Sequence, residues 1–393
     1  MRIELFSEAS QIKQLLLEAY GDNYLDIITN EYDPLCTSIP QYLKGNVLKN
    51  VKFKKFLCRH FNKPYEELVK PYFIQVEESL IMARENIGSK SLVIDIDSIY
   101  RACISHKQAL LGDMCLAFKA VRAFATGDRK QAFLLFKSNE SKIMTNEGLM
   151  INESEYAFAS VLIGDHEKAQ DLLSHIDIES AEHNFTKYIF FFASGFHYQS
   201  DYNKRLTKAK TAFARAAEHG PTNQFKAQCY NNLSQVYRDK EEYSKAIKYQ
   251  MLAYDKYGDK EESIGSLNNI AQVYLRTGQI EKAQKYINLA FSQISKVKNT
   301  SRLYAIMYTY LKVYGSDKIT PVLDLIDGSN LYTFKSYVTD LFELMIELSE
   351  SEEMTKVIES KIVILYISSE DEEVKLLLKA SLGAIALKRL YMK

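Results

Sequence analysis

The chain of 393 residues contains no tryptophan and only 15 glycines and 6 prolines. A protein with many tight β-turns, or with several glycine-rich phosphate loops, needs more of both residue types. Hydrophobic residues make up 47% and charged residues 25%, which excludes a disordered or collagen-like chain. We therefore expect helices as the main secondary structure, in roughly two to four domains or one regular repeat array.

The five cysteines are odd in number and form no C-x-x-C pair, so neither a disulfide framework nor a zinc ribbon is indicated. The first residues, MRIELFSEAS, lack the basic and apolar regions of a signal peptide. No apolar run of about 18 residues is present that could cross a bilayer. These observations predict a cytoplasmic protein that does not enter a membrane.

Motifs for enzyme chemistry are also missing. The sequence has no G-x-x-x-x-G-K-[ST], G-x-G-x-x-G, H-E-x-x-H or G-x-S-x-G, and its seven histidines are scattered without an i, i+4 pair. We predict a protein that is not an enzyme, with no catalytic residues, no metal site and no cofactor. Lysine plus arginine equals aspartate plus glutamate, at 50 each, so a polyanion partner would require local segregation of charge.

Such segregation occurs near the N-terminus, where residues 34–65 contain no Asp or Glu but many Lys and Arg. The apolar pattern predicts short helices at 10–19, 24–31, 39–43 and 51–61, and a further helix opening at Pro64. Short helices with tight turns are typical of a helix-turn-helix domain, which we place at residues 1–68. In that motif the second helix meets base edges while flanking basic residues hold phosphates.

The candidate reading helix follows Pro34, and Pro40 inside it shortens or bends it. Glutamine and serine can bond base edges, and lysine and asparagine can contact phosphates. The predicted DNA-binding residues are Thr37, Ser38, Gln41, Lys44, Asn46, Lys49, Asn50, Lys52 and Lys55. The alternative is that this basic face docks on acidic repeats of the same chain.

A repeat is visible after about residue 70. Gly127-Asp128 precedes Ala132, and thirty-seven positions later Gly164-Asp165 precedes Ala169. After a shift of three residues, Ala209, Ala246 and Ala283 continue the pattern at the same period. Small residues at fixed places allow two antiparallel helices to approach closely, and this pattern resembles the tetratricopeptide repeat.

We therefore predict an all-α protein, with the N-terminal helix-turn-helix domain followed by a tetratricopeptide-like α-solenoid at residues 69–374. We expect roughly six to eight helix pairs there. Gly315 is expected in register with the repeat. The apolar helix at residues 375–393 is predicted to cap the solenoid or to pair with a second subunit.

Amide and arginine side chains recur on the first helices of two repeats. In tetratricopeptide arrays these helices line the concave groove, where Asn and Gln can bond a peptide backbone and Arg can bond a carboxylate. The predicted peptide-binding residues are Gln228, Asn231, Asn232, Gln235, Arg238, Asn268, Asn269, Gln272 and Arg276. The alternative, for Asn232 and Asn269 above all, is that they cap or bridge neighbouring helices.

A DNA-binding head joined to such a solenoid resembles the peptide-sensing regulators of Gram-positive bacteria and their phages, the group of the Rap, NprR, PlcR and AimR families. Within the group the chain is most similar to the AimR arbitrium receptors, through SIPQYLKGNVLKNVKFKKFLCRHFNKPYEELVKPY, MAREN and IDIDSIYRACIS. The resemblance implies a homodimer in the bacterial cytoplasm that binds double-stranded operator DNA. It also implies quorum sensing through a short signal peptide, which in AimR controls the choice between phage lysis and lysogeny. The alternatives are a Rap-like interaction protein or phosphatase acting on a response regulator, and a general tetratricopeptide scaffold.

Overall fold

A computed structural model describes residues 8–33, 38–43, 50–85, 95–200, 205–325, 335–349, 351–368 and 372–391. These residues are helical or lie in turns, and no strand occurs among them, so the all-α prediction is confirmed. The chain divides into two compact units, residues 1–221 and 222–393. None of the described helices is both long enough and apolar enough to span a bilayer.

In the first unit the N-terminal helices begin close to their predicted positions. They are α1 (Glu8–Tyr20), α2 (Tyr24–Tyr32), α3 (Ile39–Tyr42), α4 (Val51–His60) and α5 (Tyr65–Glu85). Ile12, Ile28, Phe53 and Leu57 are fully buried, and both α1 and α4 pack on α5. The α3 helix is only four residues long and contains Pro40, as the sequence predicts.

The rest of the first unit is built from packed helices. They are α6 (Ile96–Ser105), α7 (Ala109–Ala125), α8 (Arg129–Asn139), α9 (Asn146–Leu162), α10 (His166–Ser174), α11 (Asn184–Ser200) and α12 (Leu206–His219). Helices α7 and α8, α9 and α10, and α11 and α12 form antiparallel pairs. The repeated Ala132, Ala169 and Ala209 are fully buried, which confirms why this position must be small.

Acidic side chains join successive pairs in this unit. Asp113 on α7 accepts from the backbone N–H of Met144 at 3.0 Å and of Thr145 at 2.9 Å, just before α9. Glu147 on α9 accepts from the backbone N–H of His183 at 2.8 Å, just before α11. Burial raises the pKa of Asp113 above its ordinary value, and these donors oppose that rise.

The second unit continues the helical pairs, and its last helices share one apolar core with the pairs before them. The helices of this unit are α13 (Asn223–Asp239), α14 (Tyr243–Tyr257), α15 (Glu261–Arg276), α16 (Ile280–Phe291), α17 (Thr300–Tyr314), α18 (Ile319–Leu325), α19 (Lys335–Leu348), α20 (Glu352–Ser368) and α21 (Glu372–Tyr391). Gly278 and Gly315 adopt φ angles of +71° and +75°, so the predicted register of Gly315 is confirmed. The equivalent position one repeat earlier is Glu241, at φ +60°.

The compact units do not coincide with the predicted segments 1–68, 69–374 and 375–393. Helix α5 runs without a break through residues 68 and 69, because its apolar face continues from Leu68 to Val76. Helix α21 likewise runs through residues 374 and 375. The division that the structure shows lies after Pro221, between two helical pairs.

Candidate functional site

A polar cavity of about 230 Å³ lies in the second unit, between the first helices of successive pairs. Its walls come from α13, α15 and α17, with the last residue of α14 contributing. The lining residues are Asn231, Tyr257, Glu262, Gly265, Ser266, Asn268, Asn269, Asn299, Arg302 and Ala305. The period of thirty-seven explains part of this set, because Asn231, Asn268 and Ala305 occupy the same repeat position on three neighbouring helices.

Amide side chains bridge α13 and α15 at one wall of the cavity. The Oδ1 of Asn231 accepts from Asn269 Nδ2 at 3.2 Å and from Gln250 Nε2 at 3.1 Å. Gln272 bridges α15 to α17 by donating to Thr309 Oγ1 at 3.1 Å. Asn269, Asn231 and Gln272 thus bridge neighbouring helices, and their contact with a peptide stays a prediction.

Asn268 is the exception among these amides. Its side chain is 2% exposed and lines the cavity, yet its Oδ1 has no hydrogen-bond partner among the described residues. Leaving a buried acceptor unfilled costs about 1–3 kcal/mol. The cavity therefore presents an acceptor that a ligand with an N–H or O–H donor can satisfy.

Charged and hydroxyl groups complete the walls. Arg302 Nη1 lies 2.6 Å from Glu261 Oε1, and its Nη2 lies 3.6 Å from Glu262 Oε1. Burial raises the pKa of Tyr257 well above its ordinary value, so its hydroxyl stays protonated and can donate or accept. Asn299 caps α17, because its Oδ1 accepts from the backbone N–H of Arg302 at 3.1 Å.

The structure thus brings together three of the predicted peptide-binding residues, Asn231, Asn268 and Asn269, at one cavity. The others, Gln228, Asn232, Gln235, Arg238, Gln272 and Arg276, do not line it. Asn232 is 6% exposed and lies in the core of the unit, whereas Arg276 is exposed at the end of α15.

Four further lining residues are not predicted by the sequence pattern: Tyr257, Glu262, Asn299 and Arg302. A signal for Arg302 was present, because Gly265 stands thirty-seven positions before it and so occupies the same place on the neighbouring helix. A Cβ at position 265 would lie 2.9 Å from Arg302 Nε, so the missing side chain makes room for the arginine.

A second candidate site is the basic face of α4 in the first unit. Lys52, Lys55 and Arg59 are exposed along one face of the helix, and they form no ion pair in the part of the chain that the structure describes. They border an open cavity of about 620 Å³ that is also lined by Glu31, Tyr32, Asp33, Phe56 and His60. Docking of this face on acidic repeats is therefore not seen among the described residues.

The predicted DNA-binding residues have different positions in the structure. Lys52 and Lys55 lie on the basic face, Gln41 is exposed on α3, and Ser38 precedes α3. Asn50 caps α4, since its Oδ1 accepts from the backbone N–H of Phe53 at 2.8 Å. This oxygen therefore stabilises the start of the helix. Thr37, Lys44, Asn46 and Lys49 lie outside the described residues.

Comparison with known proteins agrees with the helical repeat. The family model of the tetratricopeptide repeat matches residues 227–263 and 264–294, which contain α14, α15 and most of the cavity. No curated protein matches the chain.

Two solved structures are similar to the chain. A signal-transduction ATPase with numerous domains (STAND) and a tetratricopeptide repeat sensor, from Pyrococcus horikoshii, has a TM-score of 0.53 at 15% identity. The match covers 96% of this chain and 54% of the STAND protein, so the chain spans about half the length of that protein. A selenomethionine form of an AimR protein, phAimR, has a TM-score of 0.40 at 16% identity, over 94% of this chain and 99% of that one. At these identities the STAND likeness supports the fold alone.

Proposed function

We propose that the chain is a DNA-binding transcription regulator whose affinity for operator DNA changes when a short peptide occupies the cavity between α13, α15 and α17. The observation that carries the peptide half is the buried Oδ1 of Asn268, which lines the cavity without a donor. An extended peptide offers backbone N–H groups at regular spacing, and one of them can fill this acceptor.

The size of the cavity defines what part of a peptide it receives. At about 230 Å³ it is smaller than the roughly 300–1,000 Å³ of drug-sized ligand sites. We assign it one or two residues of the peptide, with the remainder lying along α13 and α15. The other predicted contacts on those helices, Gln228, Gln235, Arg238 and Arg276, belong to this outer part of the proposal.

The DNA half is supported by the basic face of α4. Lys52, Lys55 and Arg59 project from three places on one helix face and have no acidic partner among the described residues. Unpaired, exposed cations are what a phosphate backbone requires, because binding then releases counterions without breaking internal ion pairs. We assign the base contacts to the α3 segment, as the sequence analysis predicts.

The proposal includes a homodimer formed through the last helices. Several large apolar side chains of α20 and α21 are exposed, among them Ile364 at 61%, Ile367 at 76% and Leu376 at 69%. If these side chains form one surface, a second copy of the chain would cover it, since a monomer rarely exposes a large contiguous apolar patch. In keeping with the resemblance to the AimR family, we assign the regulated process to the lysis or lysogeny decision of a temperate phage, and the ligand to an arbitrium-type signal peptide.

The test is a DNA-binding experiment with and without peptide. Genomic fragments that the protein binds would be selected, and synthetic peptides encoded beside the gene would then be added. We expect specific binding whose logarithm falls linearly with the logarithm of salt concentration, and at least one peptide that changes it. Specific DNA binding that is independent of salt would contradict the phosphate contacts, and binding that no such peptide alters would contradict the sensing role.

A further inference from the structure

The junction between α15 and α17 carries a feature that distinguishes it from the junctions before α9 and α11. In those two, Asp113 and Glu147 accept backbone N–H groups, and neither pairs with an arginine or lysine of the next helix in the part of the chain that the structure describes. Glu261 on α15 accepts the backbone N–H of Lys298 at 2.6 Å and also binds the guanidinium of Arg302, again at 2.6 Å. One carboxylate thus holds both the loop before α17 and a side chain of its first turn.

This junction is also a wall of the cavity. Arg302 and Glu262 line the cavity directly, and the backbone of Gly265 lies against the stem of Arg302. Arg302 and Glu261 are 20% and 24% exposed, so their pairing is shielded from water better than most ion pairs between described residues. A ligand in the cavity must therefore contact the groups that join α15 to α17.

We propose that the Arg302–Glu261–Glu262 cluster is a latch between two repeats, and that a peptide in the cavity opens it. This inference rests on the proposed function and names the element through which the cavity is coupled to the rest of the second unit. The weaker arm is Arg302 to Glu262, whose closest atoms are 3.6 Å apart, beyond ordinary hydrogen-bond distance. A peptide N–H or ammonium group that binds the Glu262 carboxylate competes with Arg302 for it.

Opening follows where the peptide donor draws the Glu262 carboxylate away from Arg302, since these two groups lie 3.6 Å apart and are not hydrogen-bonded to each other. When a donor of the peptide takes Glu262 and another fills Asn268, Arg302 is held by Glu261 alone. The N-terminal turn of α17 then separates more readily from α15, which changes the angle between successive pairs of the solenoid. The peptide can shift this equilibrium only by its difference in affinity for the closed and open forms, and the competition for Glu262 supplies that difference.

The latch can be tested by hydrogen exchange and by DNA binding on the full-length protein. Arg302→Met removes the charge and keeps the length of the side chain, while Gly265→Ala leaves the charge and introduces the Cβ that would displace Arg302. The matched control is Arg215→Met, which removes an arginine of the first unit that pairs with a glutamate, Glu179 at 3.0 Å, and does not line the cavity. Backbone exchange would be measured over residues 296–303 with and without synthetic short peptides, from the set encoded beside the gene.

Without peptide, we expect exchange over 296–303 to be about tenfold faster in both Arg302→Met and Gly265→Ala, the effect of losing one charge-assisted hydrogen bond. Peptide should raise exchange there in the wild type and in Arg215→Met, but add nothing in Arg302→Met. The ratio of DNA affinities with and without peptide should approach one in Arg302→Met and stay at the wild-type value in Arg215→Met.

Three results separate the latch from the proposed function. Exchange over 296–303 that is the same in Arg302→Met as in the wild type overturns the latch, whatever the peptides do. A full peptide effect on DNA binding in Arg302→Met overturns it as well. If no peptide binds the wild type, the proposed function is overturned together with the opening by peptide, and faster ligand-free exchange in Arg302→Met would then show only that the ion pair joins α15 to α17.

Discussion

The polar side chains of the α4 face and those of the cavity in the second unit differ in exposure and in bonding. On α4, Lys52, Lys55 and Arg59 are exposed and have no acidic partner among the described residues. In the cavity, most amides and charges are already bonded to one another, and one buried acceptor, on Asn268, is left open. Exposed positive charges favour binding of a long polyanion through electrostatic attraction. A single buried acceptor without a donor, among side chains that are otherwise hydrogen-bonded, favours a small ligand of defined shape.

The largest expected effect comes from removing the charges of α4. If Lys52, Lys55 and Arg59 are changed to Gln together, three phosphate contacts are lost, which lowers affinity about a hundredfold at physiological salt and the salt slope by roughly 3. The measurement is a salt titration of DNA binding by fluorescence anisotropy. The control changes Arg129, Lys130 and Lys137, three exposed basic residues of α8, and should leave the slope unaltered. An equal loss in both triple variants would mean that net charge, and not the α4 face, attracts DNA.

A substitution at Asn268 in the cavity is expected to weaken peptide binding by a smaller factor and, unlike most substitutions, to stabilise the fold. Asn268→Leu replaces an unfilled buried acceptor by an apolar group of similar volume, so the free energy of unfolding should rise by about 1–3 kcal/mol. The same change removes the atom that we assign to the peptide, and peptide affinity should fall about tenfold. Thermal unfolding and isothermal titration with peptide measure the two quantities. A destabilised variant would show that Asn268 Oδ1 has a partner in solution and is not an open site.

Substitution of the next residue, Asn269, should have the opposite effect on stability. Asn269→Leu breaks the bond from Asn269 Nδ2 to Asn231 Oδ1, which bridges α15 and α13. We expect a loss of about 0.5–1.5 kcal/mol in the free energy of unfolding, the net value of one neutral hydrogen bond. Urea unfolding of the two single variants, side by side, tests the opposite signs. Equal signs would remove the distinction between a bridging and a ligand-binding asparagine.

The sequence predicts the periodic parts of the fold well because they depend on local rules. The buried alanines at Ala132, Ala169 and Ala209, and the left-handed glycine at Gly315, follow from a period that can be counted along the chain. The short α3 follows from Pro40. The division of the chain after Pro221 did not follow, because the repeat pattern continues on both sides of it and packing alone decides where contacts are sparse.

The site is predictable to the extent that it repeats. Asn231 and Asn268 stand at equivalent positions, and the sequence analysis found both. Which of the amides are bonded and which remain open depends on side-chain contacts between helices thirty-seven residues apart, such as Asn269 with Asn231. Arg302 was missed for the same reason, since its role arises from the space above Gly265 and from Glu261 on the neighbouring helix.

The smallest expected effect concerns a turn between two helices of a repeat. Substitution there should change the stability of the fold and leave DNA binding and peptide binding unchanged. Glu241 adopts φ +60°, where Gly127, Gly164 and Gly278 stand at the equivalent turns. A residue with a Cβ loses roughly 1 kcal/mol or more of folding free energy in this left-handed backbone region, and glycine does not. Glycine offsets part of this gain because it loses more conformational entropy on folding. We expect Glu241→Gly to raise the free energy of unfolding by about 0.5 kcal/mol. Thermal unfolding measures this gain, with Gly278→Glu as the reverse substitution, expected to destabilise. If Glu241→Gly instead changed the affinity for peptide or DNA, this turn would be coupled to a binding site and would not affect stability alone.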